Sequence, residues 1–447
     1  MSRVVVVGAG PVGALIGLLL KRRGDDVVVY ERRGDPRAQG YVGGRSINLA
    51  LSDRGMLALQ KAGVADDVDK VAVPMPGRRM HNVDGSSAFM PYGLNGEFIR
   101  SVSRGGLNIK LLDLLDAASV PIHFEHPCSD VDLAAGRARC GSVDADGDVV
   151  IGADGAGSAV RAAFMRTDRF DYSQSWLPHG YKELAIPAGP GGSFLLEKQA
   201  LHIWPRSAFM LIALPNLDGS FTCTLFFAHD GDQASFAALT ASSSARAFFE
   251  QHFPDALALM PDFDDQWAAN PVSSLATIRC WPWHHGKALL IGDAAHAICP
   301  FFGQGLNAGF EDCRILLEIL DEVAGDWSRA LPLFQHARKD NADAIATLAL
   351  ENFVEMRDKV GQPAFLLRKK IEAALAKAAP DLVTPSYTMV TFRPLTPYAE
   401  ALRKSRRQDV VLDRLVADVD VVAAVQRDPA DPALQATLRR IAAEGLS

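Results

Sequence analysis

Three glycines, Gly8, Gly10 and Gly13, stand in the spacing GxGxxG directly after four valines, Val4 to Val7. In that pattern the first glycine permits a tight turn and the second lets backbone approach a pyrophosphate. The third lets a helix pack close against a strand. Glu31 closes the next apolar run, "VVVY", with Arg32 after it; a carboxylate at that point can accept bonds from ribose hydroxyls and favours a free 2′-hydroxyl. Further on, Asp154 lies in "GADGAGSAVR" and Asp293 follows Gly292 in "IGDAAHAICPFFGQGLNAGFEDC". An acid between a strand end and a loop can bind a polyol. The ribityl chain of FAD is a polyol, and NAD has none. Gly305, Leu306 and Asn307 belong to "GQGLNAG", a helix start whose free N–H groups would stabilise pyrophosphate or negative charge on a flavin ring. Together these residues point to FAD.

These residues need particular elements to hold them. "RVVVVGAGPVGALIGLLLKRRGDDVVVYERR" reads as strand, helix and strand, the helix stopping near Gly24. Val143 to Arg161 reads as a strand, a turn and a helix through Ser158 and Arg161. His284 to Leu320 reads as a strand, a loop and a long apolar-periodic helix. The expected class is α/β: a discontinuous Rossmann-like FAD-binding domain from residues 1–73, 101–178 and 273–335. A β-sheet-rich substrate domain is expected from 74–100 and 179–272, where "ALHIWP" and "FTCTLFFAH" alternate with turn residues. Residues 336–447 read as a C-terminal helical segment covering the pocket, with "VVLDRLVADVDVVAAVQRD" as one amphipathic helix.

Composition narrows the classes. A chain of 447 residues, 48% hydrophobic, can bury a large core, and a net charge of −7 without a basic run argues against nucleic-acid or anionic-membrane partners. Six scattered cysteines without a CxxC pair read as reduced thiols, and eleven histidines without ligand spacing make a metal site unexpected. The opening "MSRVVVVGAG" turns glycine-rich too early for a secretory signal, and no apolar run reaches the roughly 18 residues of a membrane span. A cytoplasmic protein without a membrane anchor is expected; its oligomeric state is not legible.

The glycine turn, "GADGAGSAVR" and "IGDAAHAICPFFGQGLNAGFEDC" resemble the three fingerprints of class A flavoprotein aromatic hydroxylases. "GRSINLALSDRG", "HGYKEL", "ALHIWP", "IALPNLDGSFTCTLF" and "ALENFVEM" are similar, within that class, to the kynurenine 3-monooxygenase family, of the bacterial type without an anchor. The matches run from the first strand to about Tyr398. The resemblance implies noncovalent FAD, with Glu31 on the adenosine ribose, Asp293 on the ribityl chain, and Arg104 and Arg45 near the cofactor. Residues around Gly305 and Asn307 would lie beside the isoalloxazine. Leu306 departs from the family, which has Met there, a volume-conserving change. The implied activity is hydroxylation of L-kynurenine to 3-hydroxykynurenine with NADPH and O₂ through a flavin C4a-hydroperoxide.

For the substrate, the resemblance places Arg78, Tyr92, Asn352 and Tyr398 around the amino-acid end. Ile212, Leu214, Phe301, Phe302 and Met356 would stand along the ring. An arginine suits a carboxylate because its planar fork binds two oxygens. "GRRMH" leaves two registers for that arginine; alignment on His81 favours Arg78 over Arg79. Asn352 sits in an otherwise apolar helical pattern, so its amide needs a partner, which a substrate would supply. No second GxGxxG marks a nicotinamide site: NADPH docks transiently over the flavin, or a separate reductase delivers the electrons. Two other readings stay open, a hydroxylase of a related aminoaryl compound and a flavin-binding sensor without turnover.

Overall fold

The computed structural model describes residues 1–39, 48–93, 96–358 and 362–446. Arg45 and Ser46 lie outside the described residues, as does the side chain of Met356.

The first strand, Arg3–Val7, is apolar and buried from Val4 onward, as a strand covered on both faces must be. It pairs in parallel with Asp26–Tyr30 on one side and Val149–Gly152 on the other. Between the first two strands runs the helix Pro11–Arg23, with proline at its start and Gly24 at φ 98° closing it. Ala288–Leu290, His284–His285 and Ile122–His123 extend this to six strands, against which the helices Pro11–Arg23 and Gly305–Glu322 bury one large core. The architecture is mixed α/β, with helices gathered in the C-terminal region.

A second, seven-stranded sheet runs in the order Val272–Trp281, Asp171–Ile186, Phe221–Ala228, Phe209–Pro215, Ala200–Arg206, Gly77–His81, Ser87–Pro91. Its two faces are read from the period-two alternation of a strand. In Phe209–Pro215, Leu211 and Ala213 pack toward the helices Ser242–His252 and Phe263–Ala269. Met210, Ile212 and Leu214 face the other way, toward Phe301, Tyr92 and Tyr387. The site is built against this second face. Asp171–Ile186 and Val272–Trp281 pair along most of their length, so the expected boundaries at 178/179 and 272/273 fall at or within continuous strands. Asn48 ties the two parts together: its amide donates to Ser101 Oγ at 3.0 Å, Pro215 O at 3.2 Å and Asn216 Oδ1 at 2.7 Å.

The C-terminal stretch expected as one amphipathic helix forms two, Tyr398–Ala417 and Val419–Arg427. Asp418 separates them because its carboxylate accepts from Asp420 N and Val421 N, an N-cap that starts a new helix. No helix of the described residues is long and apolar enough to cross a membrane.

Behind the pocket, on the outer face of the strand Gly77–His81, His81 stacks on Trp204 with ring centroids 4.1 Å apart. His81 Nε2 lies 2.9 Å from His202 Nδ1, and His202 Nε2 lies 2.9 Å from Glu197 O. A neutral His202 donating to that carbonyl and accepting from His81 satisfies both contacts. Burial holds the His202 imidazole down at about 4. Its folded-state pKa is below the unfolded one, so the unfolded chain takes up the proton first. The stabilisation is complete above about pH 6.5 and declines toward pH 4, by up to about 3 kcal/mol. Denaturant unfolding between pH 7 and 4 is expected to show that slope in the wild type and a shallower one in His202→Gln; equal slopes would refute it.

Candidate active site

Each glycine of the first turn has its own reason. Gly8 sits at φ +101°, and a Cβ there would come within 2.6 Å of Ala153 O. A Cβ on Gly13 would stand 1.9 Å from Gly8 O, so the helix can approach the turn only without one. A Cβ on Gly10 would meet no atom of the described residues within 4 Å, so the turn is open to them on that side. The helix Pro11–Arg23 has no side-chain cap, and its first N–H groups are left for an anion. Glu31 accepts from Ala9 N at 2.8 Å and from Arg33 N at 3.0 Å, which fixes its carboxylate beside the turn; Arg32 is exposed next to it. These features fit an FAD pyrophosphate and ribose.

On the flavin side, Asp293 opens the short helix Asp293–His296, half-buried and without a side-chain hydrogen bond among the described residues. Gly305 opens the helix Gly305–Glu322, which also lacks a side-chain cap, and a Cβ on Gly305 would meet nothing within 4 Å. Leu306 packs half-buried against the main core. Arg104 is exposed at the start of the helix Arg104–Ala117, just after its cap Ser103. Two expected cofactor residues have their polar atoms engaged by the protein. Asp154 caps the helix Ala159–Phe164 through Ser158 Oγ, Ala159 N and Val160 N. Asn307 accepts from Ser52 N at 2.9 Å and donates to Ala50 O and Gly303 O, stitching the strand Asn48–Leu51 to the flavin-side turn.

Across from that turn, Arg78 points into the second sheet's inner face. Its Cζ lies 4.9 Å from the Tyr92 ring centroid and 4.5 Å from that of Tyr387, and the two tyrosines stack at 5.5 Å. No carboxylate pairs with Arg78 among the described residues, whereas Arg79 Nε donates to Glu197 at 2.9 Å on the opposite face. The Tyr92 hydroxyl is buried without a hydrogen-bond partner among the described residues, and burial and then the neighbouring Tyr387 push its pKa up. Burial disfavours the Arg78 charge, but a guanidinium titrates so far above neutrality that it stays charged here, with the two tyrosine ring faces against it. A fixed cation beside an orphaned hydroxyl is suited to a carboxylate. Ile212 and Leu214 join Tyr92 and Tyr387 in one apolar cluster. Phe302 stacks on Tyr387 at 5.6 Å, and Phe301 packs on Phe226 at 4.9 Å. The Asn352 amide does not depend on a substrate: it donates to Phe301 O at 2.6 Å and braces the turn before Gly303.

Tyr398 is elsewhere. It is fully buried, donates to Gln304 Oε1 at 2.9 Å, and stacks against the Arg54 guanidinium at 4.0 Å. Tyr387 stands over Arg78 instead; two tyrosines eleven positions apart cannot be distinguished by spacing. Sequence reasoning also missed a buried ladder of charges. Arg54 pairs with Glu311, Glu311 with Arg338, and Arg338 Nε with Asp312 at 2.7 Å. Asp312 Oδ2 accepts from His296 Nε2 at 2.6 Å and from Gly292 N at 2.9 Å, which orients the turn presenting Asp293. Burial alone would raise the Asp312 pKa; His296 and Arg338 hold it at about 2. The legible signal was "GFEDCR", adjacent acids inside a helix whose neighbours are apolar.

A GxGxxG turn, uncapped helix starts beside Asp293 and a facing sheet that presents Arg78 fit an FAD-dependent monooxygenase. The FAD binding domain family matches residues 1–348, and solved 2-methyl-3-hydroxypyridine-5-carboxylic acid oxygenase shares the fold, with TM-score 0.67 at 22% identity over 81% of this chain and 95% of its own. The chain is 46% identical to kynurenine 3-monooxygenase of Myxococcus xanthus, covering 95% of this chain and 94% of that one. It is 45% identical to that of Flavobacterium psychrophilum, covering 93% and 94%. The chain belongs to the kynurenine 3-monooxygenase family.

Proposed function

We propose that this enzyme hydroxylates L-kynurenine to 3-hydroxykynurenine, using NADPH and O₂. The observation that carries the reading is Arg78, a charged guanidinium with no carboxylate partner among the described residues, beside the buried Tyr92 hydroxyl, which has no hydrogen-bond partner among them. The substrate carboxylate would take the fork of Arg78 and the Tyr92 O–H, with Tyr387 closing over them. Ile212, Leu214 and Phe302 would hold the aminophenyl ring, with Phe301 behind and Asn352 fixing the Phe301 carbonyl. FAD, when bound, would supply the redox chemistry, hydride acceptance from NADPH and activation of O₂.

Gly8, Gly10, Gly13, Glu31 and the helix start at Pro11 would hold its adenosine and pyrophosphate, with Asp293 on the ribityl chain and Arg104 alongside. The Gly305 helix start would place positive N–H groups next to the ring. The protein's part is to hold the substrate ring at reacting distance and keep water out. The six free thiols support a reducing, cytoplasmic setting.

Stopped-flow reduction of the bound flavin by NADPH tests the reading. Saturating L-kynurenine, held at Arg78 across from the flavin-side turn, is expected to accelerate it. A rate indifferent to kynurenine would remove the assignment.

A further inference from the structure

Helix Ser386–Phe392, which carries Tyr387, is only seven residues long and has no side-chain cap. The last carbonyls of any helix lack donors within it, and buried ones must find them elsewhere. Here a single side chain from another part of the fold serves both that helix end and the turn after it. Arg54, on the helix Asp53–Lys61 and 1% exposed, donates through Nε to Val390 O at 3.3 Å and through Nη1 to Pro394 O at 3.2 Å. Its Nη2 donates to Arg393 O at 3.3 Å and Thr396 O at 2.7 Å. Its charge is balanced by Glu311, on the helix that begins at the flavin-side turn, and its plane lies on Tyr398, which holds Gln304 of that same turn. A guanidinium has five donors in a fixed fork; an ammonium could not reach these four carbonyls and the carboxylate together.

We propose that Arg54 is a positioning residue for the substrate. By closing the end of Ser386–Phe392 it fixes Tyr387 over Arg78, in register with the flavin-side turn. Arg54 itself touches neither cofactor nor substrate. The inference rests on the reading of Arg78 and Tyr387 as the carboxylate pocket.

A double-mutant cycle in the FAD-loaded enzyme tests it. Arg54→Lys is expected to raise the KM for L-kynurenine about tenfold while kcat changes less than about threefold, with more H₂O₂ per NADPH and unchanged FAD content. In a Tyr387→Ala background the same substitution should add less than about twofold, because its route to the substrate has been removed. Equal effects of Arg54→Lys in both backgrounds would overturn the proposal. Saturable wild-type kinetics with additive variants would overturn this inference alone; a wild type that kynurenine does not saturate would overturn the reading of the pocket with it.

Discussion

Arg78→Ala is expected to weaken L-kynurenine binding by about 2–4 kcal/mol, the cost of removing one partner of a desolvated charge pair. That corresponds to a Kd increase of about 30- to 1000-fold. The effect should be large because no carboxylate of the protein pairs with Arg78 among the described residues, so the substrate would be its main anionic partner. Bound FAD should be unaffected, since Arg78 lies on the seven-stranded sheet and the cofactor grip on the other. Arg78→Lys should recover only part of the loss, a point charge replacing a fork. Titrating kynurenine against the flavin absorbance of the purified variant measures it directly. An unchanged Kd would dismiss Arg78 as the carboxylate partner.

Gly10→Val should separate folding from cofactor binding. Gly10 has φ −66° and ψ 175°, an extended conformation that valine adopts readily. A Cβ there meets no atom of the described residues within 4 Å. The apoprotein should therefore fold with a stability loss of about 1 kcal/mol or less. If the pyrophosphate passes over this turn, however, the side chain takes its place, and FAD affinity should fall by at least about 100-fold. Gly8→Val is the contrast. At φ +101°, with Ala153 O at 2.6 Å from the new Cβ, it should damage folding itself. The check is circular dichroism alongside the absorbance of bound flavin. A folded yellow Gly10→Val protein would place the cofactor elsewhere.

What the sequence made legible was the scaffold whose residue types are forced by backbone geometry. The turn glycines, the strand of valines and Glu31 each have few physical substitutes, and the structure places them together. Less legible was which polar side chains the fold uses for itself. Asp154, Asn307 and Asn352 carry the donors and acceptors a ligand would want, but cap a helix, join a strand to a turn and brace a carbonyl. Those demands arise from chain segments distant in sequence. Tyr387 and Tyr398 illustrate the same limit. Both follow closely on a proline, and only packing sends one over Arg78 and the other under Arg54. Arg54 itself sits in "LSDRG", where it would pass for a solvated helix-start arginine.

The most direct test is a product analysis with isotopically heavy O₂, supplying the FAD-loaded enzyme with L-kynurenine and NADPH. One heavy oxygen atom in 3-hydroxykynurenine, formed in step with NADPH consumed, is the predicted result. NADPH consumption that yields only H₂O₂, or kynurenine recovered unchanged, would contradict the assignment.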